Sequence, residues 1–142
     1  MKRSELIRGV RSITRDFSNS IFREQDIIDY INEGINRFKQ VIPIFKSVPK
    51  LLDQSQEPIP IPEEYQHLLS IYSASRCFMQ DERHYQSAIL MNEFETKLDE
   101  LKQAIENGDI VIIDPETGEE IVSTNQVDYV DLKPYWGIRG DK

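Results

Sequence analysis

The sequence contains few of the residues on which catalytic and metal sites usually depend. It has 1 cysteine, 2 histidines and 6 glycines in 142 residues. The lone Cys77 excludes an intramolecular disulfide and a cysteine metal cluster, as expected for a protein kept in a cytoplasm-like space. His67 and His84 have no second nitrogen or sulfur ligand at a metal-binding spacing, and neither a glycine-rich phosphate loop nor a nucleophile elbow occurs. We therefore expect no enzyme, no metal site and no cofactor.

Long apolar runs are also missing. No stretch of about 18 apolar residues predicts a membrane-spanning helix, and the polar start, Met1–Glu5, does not resemble a signal peptide. Hydrophobic residues make up 39% of the chain and charged residues 30%, which is typical of a folded globular protein. A chain of this length predicts one domain that buries about two thirds of its unfolded surface, with no membrane partner.

The net charge of −8 is spread unevenly. Up to Glu24 there are six basic and three acidic residues, a net of +3, whereas from Asp109 onward eight acids face three bases, a net of −5. An acidic chain is a poor candidate for a protein whose affinity depends on neutralising phosphates. The basic first helix could contact nucleic acid locally, but a solvated helix face is the favoured interpretation.

Apolar spacings of three and four residues predict four helices. The expected boundaries are Ser4 to the Ser18–Ser20 cluster, Arg23 or Glu24 to Pro43, Pro62 to a break at Asp81–Glu82, and that break to Gly108 as the C-terminal cap. The apolar faces are expected to include, among others, Phe17 in the first helix, Met79 in the third, and Tyr85, Ala88, Met91, Phe94, Leu98, Leu101 and Ile105 in the fourth. Helices three and four should pack as a long antiparallel hairpin, because few residues separate them.

The predicted fold class is mainly α, a small bundle of about four helices within a single domain. Residues 1–108 form the helical body, in which the proline-rich connector between Pro43 and Pro62 is extended and packed down. Residues 109–125 are predicted to form a β-hairpin, because Ile110–Ile113 and Ile121–Val122 flank a turn with Pro115 and Gly118. Residues 126–142 are predicted to form an extended C-terminal arm.

Three poor helix formers, Asn32, Gly34 and Asn36, fall within five positions in the middle of the second helix. Helical geometry places Gly34 at the edge of the apolar stripe and both asparagines away from it. The missing side chain would let another backbone come close, and amides can bond across a contact between chains. We therefore expect this face to meet another protein chain and expect Gly34→Leu to block that contact while sparing the fold. As tolerated surface residues the asparagines would cost only about a few tenths of a kcal/mol each, an interpretation that suffices for Asn36 alone.

Two segments within the central half of the chain carry a family resemblance. The first is DIIDYINEGINRF, Asp26–Phe38, and the second is IPIPEEYQHLLSIYSASR, Ile59–Arg76. In order and spacing they resemble the second-helix motif and the start of the long helical hairpin of tailed-phage head-to-tail connector (adaptor) proteins. In the first segment four residues occupy positions that match the family motif: Asn32, Glu33, Gly34 and Arg37.

The resemblance implies a structural protein of the virion neck, assembled in the host cytoplasm. It implies a dodecameric ring that is seated beneath the portal and extends the DNA channel toward the tail. The implied partners are the portal protein, a tail or stopper protein, and further copies of the chain, which need not assemble before the portal is present. Genomic DNA would pass through the channel without specific binding. The expected subunit interface consists of Asn32, Gly34, Asn36 and Arg37.

The C-terminal arm is aromatic and has neither a helical nor a strand period. Tyrosine and tryptophan are favoured anchors at interfaces, so we expect the arm to dock on the portal. The residues proposed for docking are Tyr129, Leu132, Tyr135, Trp136, Ile138 and Arg139. In the other interpretation, Trp136 folds back onto the helices of its own chain.

Two other classes of protein are alternatives to the adaptor. A small cytoplasmic helical module, working as a dimer in protein–protein interaction or regulation, fits the composition equally well. It does not explain the aromatic tail. A nucleic-acid-binding protein that uses the basic first helix is disfavoured by the overall acidic charge.

Overall fold

The computed structural model describes residues 3–18, 20–43, 45 and 63–111. Within these residues the protein has four helices and no strand: α1 (Arg3–Thr14), α2 (Glu24–Val41), α3 (Glu63–Gln80) and α4 (His84–Glu106). The predicted mainly α body of four helices is confirmed. The first helix is shorter than expected, because it ends at Thr14 rather than near Ser18.

Helix α3 is the centre of the bundle. It packs against α1, α2 and α4, whereas α1 and α4 do not touch. Its buried residues therefore lie on several sides of the helix and include small polar ones, Ser70, Ser73 and Ser75, beside apolar ones such as Leu68 and Leu69. A helix that is buried nearly all round does not show a single apolar stripe.

Three buried serines of α3 each bind a different neighbouring helix. The Ser70 hydroxyl donates to the backbone oxygen of Leu6 in α1 at 2.8 Å, and the Ser73 hydroxyl donates to that of Ile27 in α2 at 3.1 Å. The Ser75 hydroxyl donates to the backbone oxygen of Ser87 in α4 at 2.8 Å. A helical carbonyl has a second lone pair free for such a bond. The serines thus satisfy their own buried hydroxyls while they bring three backbones close to α3.

Contacts along the helices define their directions. Leu6 of α1 lies beside Ser70, and the charges of Arg11 and Asp16 act on Cys77, so α1 runs parallel to α3. Helix α2 runs the other way, because Tyr30 binds Gln80 and Glu33 pairs with Arg76.

Helix α4 also runs opposite to α3. Ser87 near its start binds Ser75, and Phe94 further along contacts the Tyr72 ring. The predicted antiparallel hairpin of helices three and four is therefore present. The α1–α2 loop and the α3–α4 turn consequently lie at the same end of the bundle, which we call the loop end.

The core has an aromatic centre between α2, α3 and α4. The Phe38 ring lies 5.8 Å from that of Phe45 and 5.9 Å from that of Phe94. Phe94 in turn meets Tyr72 edge to face at 5.0 Å, an arrangement that aromatic pairs prefer. Around this centre, Leu98 and Leu101 of α4 are fully buried, as predicted from their spacing.

Four of the predicted apolar positions are wrong. Phe17, Met79, Tyr85 and Ala88 are exposed. Phe17 lies beyond the end of α1, and Met79 lies in the last turn of α3. Tyr85 and Ala88 lie in the first turns of α4, whose main neighbour among the described residues is α3.

Helices α1, α3 and α4 end in the same hydrogen-bonding pattern. In each case the two residues after the cap donate back to backbone oxygens of the last turn, as in a Schellman motif. The first of these two residues has a positive φ, +60° at Arg15, +60° at Glu82 and +81° at Gly108. The predicted capping role of Gly108 is confirmed. Arg15 and Glu82 adopt a conformation that is costly for residues with a Cβ.

Most of the predicted β-hairpin and all of the predicted arm lie outside the described residues. Of the hairpin only 109–111 are described, and they form a bend and an irregular segment without strand structure. The expected connector lies largely outside the described residues as well.

Candidate interaction surface on α2, α3 and α4

Gly34 is buried, and its close contacts are with α3 of its own chain. A Cβ at this position would lie 3.3 Å from both Leu69 Cδ2 and Tyr72 Cδ1. The sequence correctly indicated a close approach at Gly34, but the approaching element is a helix of the same chain. This contact argues against the expectation that Gly34→Leu spares the fold, since a leucine side chain would have to displace Leu69 or Tyr72 of α3.

Arg37 is also engaged within the chain. Its Nη2 and Nε donate to the two carboxylate oxygens of Glu95 in α4, at 2.7 and 2.9 Å. This hydrogen bond to Glu95 raises the pKa of the Arg37 guanidinium. Two parallel bonds of this kind fix both position and orientation. Arg37 thereby joins α2 to α4, two helices that otherwise touch little.

The two asparagines differ in exposure. Asn36 is exposed and Asn32 is half-buried, with contacts of its own. Of the four residues expected at a subunit interface, Asn36 is therefore the most exposed, and the Arg37 side chain is partly exposed. Gly34 and Arg37 contribute to contacts inside the chain.

Charged and aromatic groups line the surface where α2 crosses α3. The Glu33 carboxylate lies 3.1 Å from Arg76 Nε and accepts a 3.4 Å hydrogen bond from the Tyr72 hydroxyl. The Arg76 guanidinium stacks over the Tyr30 ring at 5.4 Å, and the Tyr30 hydroxyl donates to Gln80 at 2.8 Å. Burial raises the pKa of Tyr30 and of Tyr72, and the charge of Glu33 acts on both in the same direction. We call this set the α2–α3 polar seam.

Sequence reasoning did not predict these partners. The sequence pattern marks Glu33 and Arg37 as motif positions. It does not mark Glu95, Tyr30 or Arg76 as site residues. The two ends of the Arg37–Glu95 pair are 58 positions apart, and no local spacing rule relates them. Only the packing of α2 against α3 and α4 brings these charges together.

A buried carboxylate organises the turn between α1 and α2. Asp16 accepts hydrogen bonds from the backbone N–H groups of Ser20, Ile21 and Phe22, at 3.1, 3.1 and 3.0 Å. Arg11 Nη1 donates to the same carboxylate at 2.7 Å. Burial acts to raise the pKa of Asp16, but the three N–H donors and the Arg11 charge outweigh it, so the pKa is lowered. The cluster fixes the loop that leads into α2.

The described residues offer no metal-binding cluster. Among them, no group of three or more histidine, cysteine or acidic side chains is placed to hold a metal ion. Burial raises the pKa of the Cys77 thiol to about 12, so this cysteine stays a neutral thiol at ordinary pH. Across the same residues no helix is both long and apolar enough to cross a membrane.

The six proposed docking residues of the arm lie outside the described residues: Tyr129, Leu132, Tyr135, Trp136, Ile138 and Arg139. Comparisons with protein-family models, with curated proteins and with solved structures find no match to this chain. The resemblance to head-to-tail adaptors therefore depends on the two sequence segments alone.

Proposed function

We propose that this chain is a structural head-to-tail adaptor of a tailed bacteriophage. In this role it forms a ring under the portal, extends the DNA channel and provides the platform for tail attachment. The partners are the portal protein, a tail or stopper protein, and neighbouring copies of the chain. The protein works in the neck of the virion and has no catalytic role.

One observation supports this proposal above the others. The two segments that resemble the adaptor family pack against each other, and the contacts involve motif residues of both. Gly34 of the first segment lies against Leu69 and Tyr72 of the second. Glu33 of the first pairs with Arg76 of the second. The two sequence motifs therefore lie in one structural unit and meet at motif positions, as the proposed adaptor role requires.

The charge of the chain suits a channel through which DNA must slide. The outer side of α4 exposes four acidic residues, Glu93, Asp99, Glu100 and Glu106, beside one exposed base, Lys97, and the chain as a whole carries a net charge of −8. An acidic wall repels the phosphate backbone and disfavours specific binding. Such a wall lets the genome pass without being held.

The C-terminal arm is the proposed portal-docking element. Its aromatic residues, above all Trp136, would be buried in portal grooves, and repetition around a ring would multiply a modest contact. The β-hairpin predicted for residues 109–125 would join this arm to the helical body.

The mass of the assembly tests the proposal. The purified chain is measured by native mass spectrometry alone and after mixing with the portal protein of the phage that encodes it. We expect a complex that contains one complete ring of this chain for each portal ring. A free dimer that does not bind the portal would instead support a small cytoplasmic interaction module.

A further inference from the structure

The loop end of the bundle exposes large apolar side chains at two separate places. In the α1–α2 loop, Phe17 is 74% exposed and Ile21 is 56% exposed. At the α3–α4 corner, Met79, Tyr85 and Ile89 are 42%, 77% and 50% exposed. Tyr85 and Ile89 are one helical turn apart and share a face of α4. We call these two sets the loop patch and the corner patch. Clustered exposed apolar side chains mark interaction sites more often than isolated ones do.

Each patch is bordered by one charge that has no ion-pair partner among the described residues. Arg15 lies beside the loop patch, and Glu82 lies within the corner patch. The neighbouring charges are neutralised locally, because Arg11 pairs with Asp16, and Arg83 with Asp81. The loop patch therefore carries a positive charge and the corner patch a negative one.

The backbone at these two charges is unusual in the same way. Arg15 and Glu82 both have a φ of +60° at the C-terminal ends of the parallel helices α1 and α3. Glycine is the usual residue at this position, as Gly108 is after α4. An arginine and a glutamate in these places incur backbone strain but keep a charged side chain at the loop end. Strain of this kind is retained where a side chain has a further use.

We propose that the loop patch of one copy of this chain docks on the corner patch of a second copy, with Arg15 facing Glu82. One chain carries both halves of the contact: apolar surface meets apolar surface, and a cation meets an anion. Both patches lie at the same end of the bundle, so a two-fold dimer would engage both pairs of patches at once, whereas a heterologous contact engages one pair and leaves one patch free on each copy. The proposed ring requires the heterologous contact, in which copies add head to tail until the ring closes, and a closed dimer that grows no further would contradict it. The inference deepens the proposed adaptor role by naming the contact between ring subunits, but it needs no portal.

Thiol cross-linking between two variants tests this contact, since the native Cys77 is buried. Full-length Arg15→Cys and Glu82→Cys proteins, one of them carrying a mass tag, are mixed and oxidised mildly. We expect the yield of the mixed dimer to exceed the yield of either same-variant dimer by about tenfold. Only the mixed pair places the two thiols side by side, at a high effective concentration. The control is Arg15→Cys mixed with Glu106→Cys, whose position is exposed at the opposite end of α4. Equal yields of the three dimers, or none at all, would overturn the proposal.

A charge exchange tests the same contact without cross-links. In sedimentation velocity, Arg15→Glu and Glu82→Arg should each weaken self-association by about tenfold, because like charges then face each other. The double variant restores the opposite pair and should recover the parent behaviour. Arg8→Glu and Glu106→Arg change equally exposed charges elsewhere and should behave as the parent does. A double variant that associates as weakly as the single variants contradicts the pairing.

Adding the portal protein separates this inference from the adaptor role. If the mixed dimer forms but the portal is not bound, the contact between copies stands and the adaptor role fails. If the portal is bound but the mixed dimer is absent both in solution and on the portal, the adaptor role stands and the contact lies elsewhere.

Discussion

Arg11 Nη1 donates a 2.7 Å hydrogen bond to the buried carboxylate of Asp16, and the same nitrogen reaches the backbone oxygen of Phe22 at 3.1 Å. A side chain of α1 thus holds both the carboxylate and the chain segment that the carboxylate organises. The pair connects the end of α1 to the start of α2. The pair therefore fixes the position of the α1–α2 loop, which carries the loop patch.

Asp16→Asn should destabilise the protein by about 1.5–3 kcal/mol, the usual worth of hydrogen bonds to a charged group. The amide of asparagine keeps the shape but has one acceptor oxygen, whereas the Asp16 carboxylate receives three N–H groups and Arg11. Urea denaturation near neutral pH measures the loss. Asp29→Asn, at an exposed position of α2, is the matched control and should change little.

The same carboxylate should make stability depend on pH. The pKa of Asp16 is lowered in the folded protein from an ordinary value of 3.8, so the unfolded chain binds the proton more readily. The stabilisation is fully present above about pH 5 and is lost as the pH falls through the folded-state pKa. The difference in unfolding free energy between the parent and Asp16→Asn should therefore shrink on acidification. A difference that stays constant down to about pH 2 would contradict this assignment.

Glu82→Gly should stabilise the fold by about 0.5–1 kcal/mol, because glycine adopts the positive φ of this position without a Cβ penalty. Thermal denaturation of the full chain measures the gain. Glu82→Ala removes the same charge but keeps the Cβ, so it should show no such gain. If alanine and glycine stabilise equally, the gain comes from removing charge and not from relieving the backbone.

Gly34→Leu should destabilise the protein by about 1–3 kcal/mol, the usual cost of overpacking a buried site. A Cβ alone would already lie 3.3 Å from Leu69 and Tyr72, so the larger side chain must displace α3. Asn36→Leu is the control, since position 36 is exposed on the same helix. Chemical denaturation should separate the two variants. Equal stabilities would mean that α2 can move away from α3 at no cost.

Local sequence patterns predicted the helices well and their partners poorly. Capping and turn residues act within a few positions. The sequence therefore predicts the helix start near Glu24, the break at Asp81–Glu82 and the C-terminal cap at Gly108. Gly34 indicates that another segment packs closely against α2, but a missing side chain does not identify that segment as α3. The failure to predict helix partners is clearest for α3. Serine is a residue type that is mostly exposed, but Ser73 is fully buried against α2.

Leu98→Asp should unfold the protein or lower its stability by several kcal/mol, about 3 or more, because it buries a charge without a partner. Leu98 is fully buried, in line with Phe94 and Leu101 on α4. Thr96→Asp, at an exposed position two residues earlier, should melt close to the parent. Circular dichroism melts compare the two. A Leu98→Asp variant that melts like the parent would show that α4 packs with another face.

Removal of Val127 to Lys142 tests the arm against its alternative, in which Trp136 packs on the chain's own helices. Ordering an extended segment costs about 1–2 kcal/mol of backbone entropy per residue, and burial of a large side chain returns about 1.5–3 kcal/mol. Burial of the arm's large side chains within its own chain does not cover that cost, whereas a partner that buries them repeatedly around a ring adds to the return. We therefore expect the truncated chain to melt like the parent but to lose portal binding. The fluorescence of Trp136 should shift to the blue only when portal is added. A blue-shifted tryptophan in the free protein, with a lower melting temperature on truncation, would place Trp136 in the fold of its own chain.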